Sequence, residues 1–214
     1  MVLHEHEASC RPLRQGGRCY CVSHRLVRSL LHDASIIRLT SAFSFDGEVV
    51  SPETLENPEK RAAFDIEAFI ARNGKEIRFP EIKAVAQALK SEYPKVGAIG
   101  YCYGGWAIFQ LGADPSLVDA VSTGHPALLT KEEIAAVKVP VQILSPETDQ
   151  TYSEELKEYS NKVIPTLGVP YEYVYFPGLV HGFATRGDEK NKLQKDGLER
   201  AKNSAVNFFK EFLH

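Results

Sequence analysis

The run Val96-Gly97-Ala98-Ile99-Gly100-Tyr101-Cys102-Tyr103-Gly104-Gly105-Trp106 constrains the fold more than any other part of this chain. Its first residues are short and apolar and read as a buried strand. A helix is predicted to start near Trp106, so the chain must turn sharply with Cys102 at the turn. The flanking glycines remove the Cβ atoms that would clash in such a turn. A G-x-nucleophile-x-G turn of this kind strains its central residue and lifts that side chain above the carboxyl edge of a sheet. The helix N-terminus beneath it favours thiolate and offers the backbone N–H of Tyr103 to a developing oxyanion. A buried structural cysteine in a glycine-rich turn is the competing reading. A dinucleotide-binding loop is the weaker one, because the G-x-G-x-x-G order is absent.

A nucleophile at such a turn needs an acid and then a histidine, each just after a later strand. Val141-Gln142-Ile143-Leu144 runs into Ser145-Pro146-Glu147-Thr148-Asp149, and Tyr173-Val174-Tyr175-Phe176 runs into Pro177-Gly178-Leu179-Val180-His181. His181 can take the thiol proton and later activate water, while Asp149 fixes the imidazole tautomer. Glu147 competes with Asp149 for the acid's place, and Asp149 would then be a loop cap.

The remaining pattern surrounds this centre with alternating elements. Asn57-Pro58 opens a helix carrying Ala62, Ile66, Phe69 and Ile70 on one face, and Asn73-Gly74 closes it. A second helix follows Pro80, with Ile82, Val85, Ala86 and Leu89 as its apolar stripe. Strands are predicted at Val96 to Gly100, Val118 to Ser122, Val139 to Leu144 and Tyr171 to Phe176. Thr130-Lys131-Glu132-Glu133 is a capping box, Ser153 caps a helix towards Leu167, and the last helix aligns Leu198, Ala201, Ala205, Phe208, Phe209 and Phe212. Strands alternating with helices imply an α/β fold, a mostly parallel sheet covered on both faces.

Residues 1 to 42 differ from the rest. They carry six Arg and no Lys, whereas residues 43 to 214 carry five Arg and fourteen Lys. Three readings compete for them: a loosely attached arm, an Arg-rich transit peptide, or sequence foreign to the domain. Glu5 and Glu7 argue against the transit peptide. His4, His6, Cys10, Cys19 and Cys21 suit zinc by type, but their spacings match no common module. Ile36-Ile37-Arg38-Leu39 is the one candidate strand. The division is therefore 1–42, atypical, and 43–214, the α/β domain. A net charge of −3 and the lack of any long apolar run argue against nucleic-acid and membrane partners. With no secretory signal at the N-terminus, the expected compartment is the cytoplasm, with the cysteines as thiols.

From residue 43 onward the chain resembles the dienelactone hydrolase family. The matching pieces are Phe45-Asp46-Gly47-Glu48, Gly100-Tyr101-Cys102-Tyr103-Gly104-Gly105, Gly124-His125-Pro126, the Asp149 loop, Pro177-Gly178, and His181-Gly182-Phe183-Ala184-Thr185-Arg186-Gly187-Asp188. The resemblance implies an α/β-hydrolase-like sheet and hydrolysis of small lactones or carboxylic esters, with no metal and no cofactor. It assigns nucleophile, acid and base to Cys102, Asp149 and His181. It also suggests that Arg186 binds a substrate carboxylate, against the alternative of a surface pair with Asp188. His125 lines the site or packs a loop, and Tyr101 is a further candidate for substrate contact. The implied partner is a small ester or lactone, and the protein a monomer or homodimer. The front departs from the family: its opening strands, and the loop that supplies a second oxyanion N–H, are missing or replaced. That departure predicts impaired hydrolysis, and it keeps open a non-catalytic protein of the same fold that binds a small molecule or a partner.

Overall fold

The computed structural model describes residues 10–15, 18–23, 34–39, 54, 57–188 and 190–214. Phe45-Asp46-Gly47-Glu48, His4 and His6 lie outside these residues. The elements in chain order are β1 (Cys10–Gln15), β2 (Arg18–Ser23), β3 (Ala34–Leu39), α1 (Pro58–Ala63), α2 (Ile66–Asn73), α3 (Lys75–Glu92), β4 (Lys95–Cys102), α4 (Tyr103–Gly112), β5 (Ala120–Pro126), α5 (Lys131–Ala135), β6 (Val141–Thr148), α6 (Glu154–Val163), β7 (Tyr171–Val180) and α7 (Lys192–Phe212).

Five strands form one sheet in the order β3-β4-β5-β6-β7. All four pairings are parallel. Side chains alternate across it, as the pleat requires. Val96, Ala98, Val121, Val141 and Ile143 pack on one face with Ile82, Val85, Ala86 and Leu89 of α3 and with Trp106, Ile108 and Leu111 of α4. Ile99, Tyr101, Ala120 and Leu144 pack on the other with Ala201, Ala205, Phe208 and Phe209 of α7. One polar link crosses this second layer: Ser122 donates to Gln142 Oε1 at 2.6 Å, and Gln142 Nε2 donates to the Ser204 carbonyl at 3.2 Å. It satisfies side chains that burial would otherwise penalise.

The front is more ordered into the sheet than its composition predicts. Ile36 to Leu39 fall in β3, which pairs in register with Ala34 opposite Lys95 and Leu39 opposite Gly100. An unpaired β4 edge would leave a row of backbone donors and acceptors unsatisfied, and β3 supplies their partners. A loosely attached arm is therefore not what residues 34–39 form. β1 and β2 form a separate antiparallel pair.

Two helix boundaries also differ from expectation. The first predicted helix is split into α1 and α2 at Phe64-Asp65, because the Asp65 side chain caps α2 by accepting from the Ala68 N–H. α3 begins at Lys75 rather than after Pro80, so Pro80 lies inside it. Side-chain contacts hold the turn before the proline. Lys75 Nζ donates to the Leu128 carbonyl at 2.5 Å and to Glu133 at 2.9 Å, and Arg78 Nε donates to Asn73 Oδ1 at 3.1 Å. The capping box at Thr130 and the Ser153 cap form as expected. No helix among the described residues is long and apolar enough to cross a membrane.

The β4–α4 turn depends on backbone contact at Gly100, where a Cβ would lie 2.0 Å from the Gly104 carbonyl oxygen. Gly168 has a positive φ of 73° but open space around it. Gly168→Ala should therefore cost only the left-handed strain, about 1 kcal/mol. Gly100→Ala should cost about 3 kcal/mol or more, because backbone must move. Urea unfolding midpoints of the two variants test this ordering, and equal midpoints would refute it.

Candidate active site

Cys102 occupies the turn between β4 and α4 with φ 52° and ψ −120°. A non-glycine residue with positive φ is uncommon and marks stored strain. Its sulfur therefore stands at the N-terminus of α4, above the carboxyl edge of the sheet. The side chain of Tyr103 leans on Trp106, with ring centroids 5.1 Å apart. Its buried hydroxyl has no partner among the described residues, and burial pushes its pKa up to about 12. That side chain is a packing group, and the feature of interest at this residue is its backbone N–H at the helix start.

His181 meets the sulfur from the far strand. Its Nε2 lies 3.2 Å from Cys102 Sγ, and its Nδ1 lies 2.9 Å from both oxygens of Asp149. The path of the chain explains the meeting. β6 and β7 lose register between Pro146 and Thr148, which pair with Phe176 and Val180, so three residues of β7 stand opposite one of β6 and β7 bulges by two. The His181 N–H then donates to the Thr148 carbonyl at 3.2 Å, which fixes where the ring begins.

Asp149 is held by the turn that follows it. The backbone N–H groups of Thr151 and Tyr152 donate to its Oδ1 at 2.8 and 3.1 Å. Its side chain is fully buried, while that of His181 is 26% exposed. Burial raises the carboxyl's pKa, but the donors from His181, Tyr152 and Thr151 outweigh it and hold the group below its ordinary value. At His181, desolvation disfavours the charged ring. The bonds to Asp149 and Cys102 overcome it and push the pKa up to about 9. Glu147 is elsewhere: it accepts from the Gly178 N–H at 2.5 Å, and of the two carboxylates it is Asp149 that contacts His181.

Two features escaped the sequence. Thr151 Oγ1 donates to Asp149 at 2.8 Å and lies 3.0 Å from His181 Nδ1, tying the acid to the ring. An aspartate two residues before a threonine is the signal that could have found it. The second feature is the placement of His125. Tyr101 pairs with Gly124 and Cys102 with Pro126, so His125 is a bulged residue, with φ 40°. Bulges beside active sites re-aim side chains. Here the ring turns its Nδ1 to 3.4 Å from Cys102 Sγ. His125 thus touches the sulfur rather than merely packing a loop. Tyr101 is buried, its ring 5.7 Å from that of His125, and supports it from within the core. Arg186 is exposed and lies against Gly182, and no ion pair joins it to Asp188 among the described residues.

A parallel sheet with helices on both faces, a strained strand-to-helix turn at Cys102 after β4, Asp149 just after β6 and His181 just after β7 define the α/β-hydrolase fold. The chain belongs to the dienelactone hydrolase family, whose profile matches residues 46–213. The hydrolase TropI of Talaromyces stipitatus is 28% identical over 136 residues, 63% of this chain and 53% of that protein. The hydrolase PyvD of Aspergillus violaceofuscus is 28% identical over 119 residues, 56% of this chain and 48% of that one. The chain thus aligns with about half the length of these relatives. In fold it is similar to the dienelactone hydrolase-like promiscuous phosphotriesterase P91 from metagenomic libraries, with TM-score 0.61, 16% identity, and 86% and 88% of the two chains covered.

Desolvation is the main cause that drives the His125 pKa down to about 3, and the nearby positive charge of His181 adds to it. The ring should stay neutral at pH 5. The sign follows: the unfolded chain takes up a proton near pH 6.5 that the folded one refuses until about pH 3. Burying His125 therefore costs stability as pH falls through that window. Imidazole nitrogen shifts by NMR are the check, and a His125 ring charged at pH 5 would contradict the geometry.

Proposed function

We propose that this protein hydrolyses small lactones or carboxylic esters by a thioester route. Cys102 is the nucleophile, His181 the general base and then acid, and Asp149 the group that orients His181. The observation that carries this reading is the unbroken line from Cys102 Sγ to His181 Nε2 at 3.2 Å and from His181 Nδ1 to Asp149 at 2.9 Å.

The steps follow from those contacts. The sulfur adds to the ester carbonyl with the proton that the pair shares held on His181 Nε2. The resulting oxyanion accepts from the Tyr103 N–H, the one donor assigned among the described residues. Collapse breaks the C–O bond, and His181 returns its proton to the leaving alkoxide. In a lactone the leaving oxygen stays tethered to the acyl group. Water, deprotonated by His181, then cleaves the thioester and frees the sulfur. Asp149 stabilises the charged ring in both halves without taking its proton.

Arg186 supplies the specificity in this reading. Its exposed guanidinium beside the His181-Gly182 turn, with no ion pair among the described residues, suits a carboxylate on the substrate. Family membership and the relatives named as hydrolases support the hydrolytic class.

Cys102→Ala and Cys102→Ser should both lower turnover of p-nitrophenyl acetate by at least about 1,000-fold. A serine hydroxyl has the wrong acidity for a site shaped to sulfur. Activity surviving Cys102→Ala would reject the nucleophile. Arg186→Ala should raise KM for carboxylate-bearing lactones about 10-fold and leave uncharged aryl esters unchanged. An equal effect on both substrate classes would remove Arg186 from substrate recognition.

A further inference from the structure

We propose that Cys102, His125 and His181 form a binding site for a thiophilic divalent cation, with Zn²⁺ the best fit, and that the metal blocks the nucleophile reversibly. The three ligand atoms all lie within 4.8 Å of one another. The sulfur stands 3.4 Å from His125 Nδ1 and 3.2 Å from His181 Nε2. Zinc bonds of about 2.3 Å to sulfur and about 2.0 Å to nitrogen, at the tetrahedral angle, separate S and N by about 3.5 Å. Both S···N distances are therefore close to those of a bound ion before any metal arrives. The remaining adjustment is a closer approach of the two imidazoles, whose rings meet edge to face with centroids 4.8 Å apart.

The surroundings are also those of a metal site. His181 presents its other nitrogen to a buried carboxylate, the Asp149–histidine arrangement that orients metal-binding imidazoles and raises their basicity. Thr151 fixes the same carboxylate from behind. His125 is held in place by its bulge, by its positive φ and by Phe183, whose ring centroid is 5.7 Å away. His181 is partly exposed and gives the ion an entry path, and a fourth coordination position is left for water. Binding replaces the proton shared by sulfur and His181 with the cation, and that proton leaves to solvent.

One feature limits the affinity. Coordination through His125 Nδ1 leaves the ring proton on Nε2, which is buried with no acceptor among the described residues. An unsatisfied buried donor weakens the site by on the order of 10- to 100-fold. That makes the metal removable by chelator, as a regulator or inhibitor is, rather than a permanent part of the fold. The inhibitory consequence rests on the proposed hydrolase reading, and the binding does not.

The test is Cys102 alkylation in the full chain, stripped of metal, read peptide by peptide by mass spectrometry. Iodoacetamide is used with and without Zn²⁺. Zn²⁺ should slow alkylation of Cys102 at least 10-fold, and EDTA should restore the rate. His125→Phe should need at least 10-fold more Zn²⁺ for the same protection, while its Cys102 still reacts when no metal is present. Zinc-edge X-ray absorption of the unmutated protein should show one sulfur and two imidazole nitrogens, and it does not depend on the variant folding. Unprotected Cys102, equal protection in the His125 variant, or a single imidazole at the metal would each overturn the site. Zn²⁺ protection in a protein that hydrolyses no ester would instead sink the hydrolase reading and leave the site standing.

Discussion

The conformation of Cys102 is the constraint on which the rest of the structure depends. Its φ of 52° and ψ of −120° cost on the order of 1–3 kcal/mol, and such strain persists only where its surroundings over-determine it. β4 is buried on both faces and fixed on both edges by β3 and β5. α4 is packed along nearly its whole length, with Trp106, Ala107, Ile108, Phe109 and Leu111 all buried. With strand and helix both anchored, the only freedom left is the turn between them. The close approach of Gly100 to the Gly104 carbonyl makes that turn possible at a single residue. The sulfur's position is thus a consequence of core packing on either side of it.

The neighbouring strands answer the turn with irregularities of their own. β5 loses register at His125, and β7 bulges after Phe176. A regular parallel strand would send successive side chains to alternate faces and none across its end. The two bulges instead bring both imidazoles against one sulfur, with their rings 4.8 Å apart. They give His125 and His181 opposite electrostatic characters. Burial keeps the first neutral, while Asp149 and the sulfur favour a proton on the second. His181 beside the sulfur is what acyl transfer uses, and the two imidazoles beside it are what soft-metal binding uses, so one arrangement supports both proposals.

Legibility in the sequence followed the range of the interaction. The Thr130 capping box and the Ser153 cap were readable because both partners lie within three residues. Cys102, Asp149 and His181 were readable because each sits at a strand end in a fixed chain order. The boundary of α3 was not, since the turn from Lys75 is held by Leu128 and Glu133, more than fifty positions away. Nor was the role of Ile36 to Leu39, whose partner strand begins at Lys95. A short segment in an Arg-rich, aperiodic stretch carries no local sign that β4 needs an edge partner.

The sequence by itself determined the layered class of the fold, the turn at Cys102 and the placing of Asp149 and His181 after later strands, because periodicity, glycine placement and caps act over a few residues. Tertiary structure alone set Asp149 rather than Glu147 against His181, brought Thr151 onto both, and turned His125 towards the sulfur. Those outcomes rest on strand register. A bulge is set by how two distant segments settle against each other, and no local pattern in either segment records it.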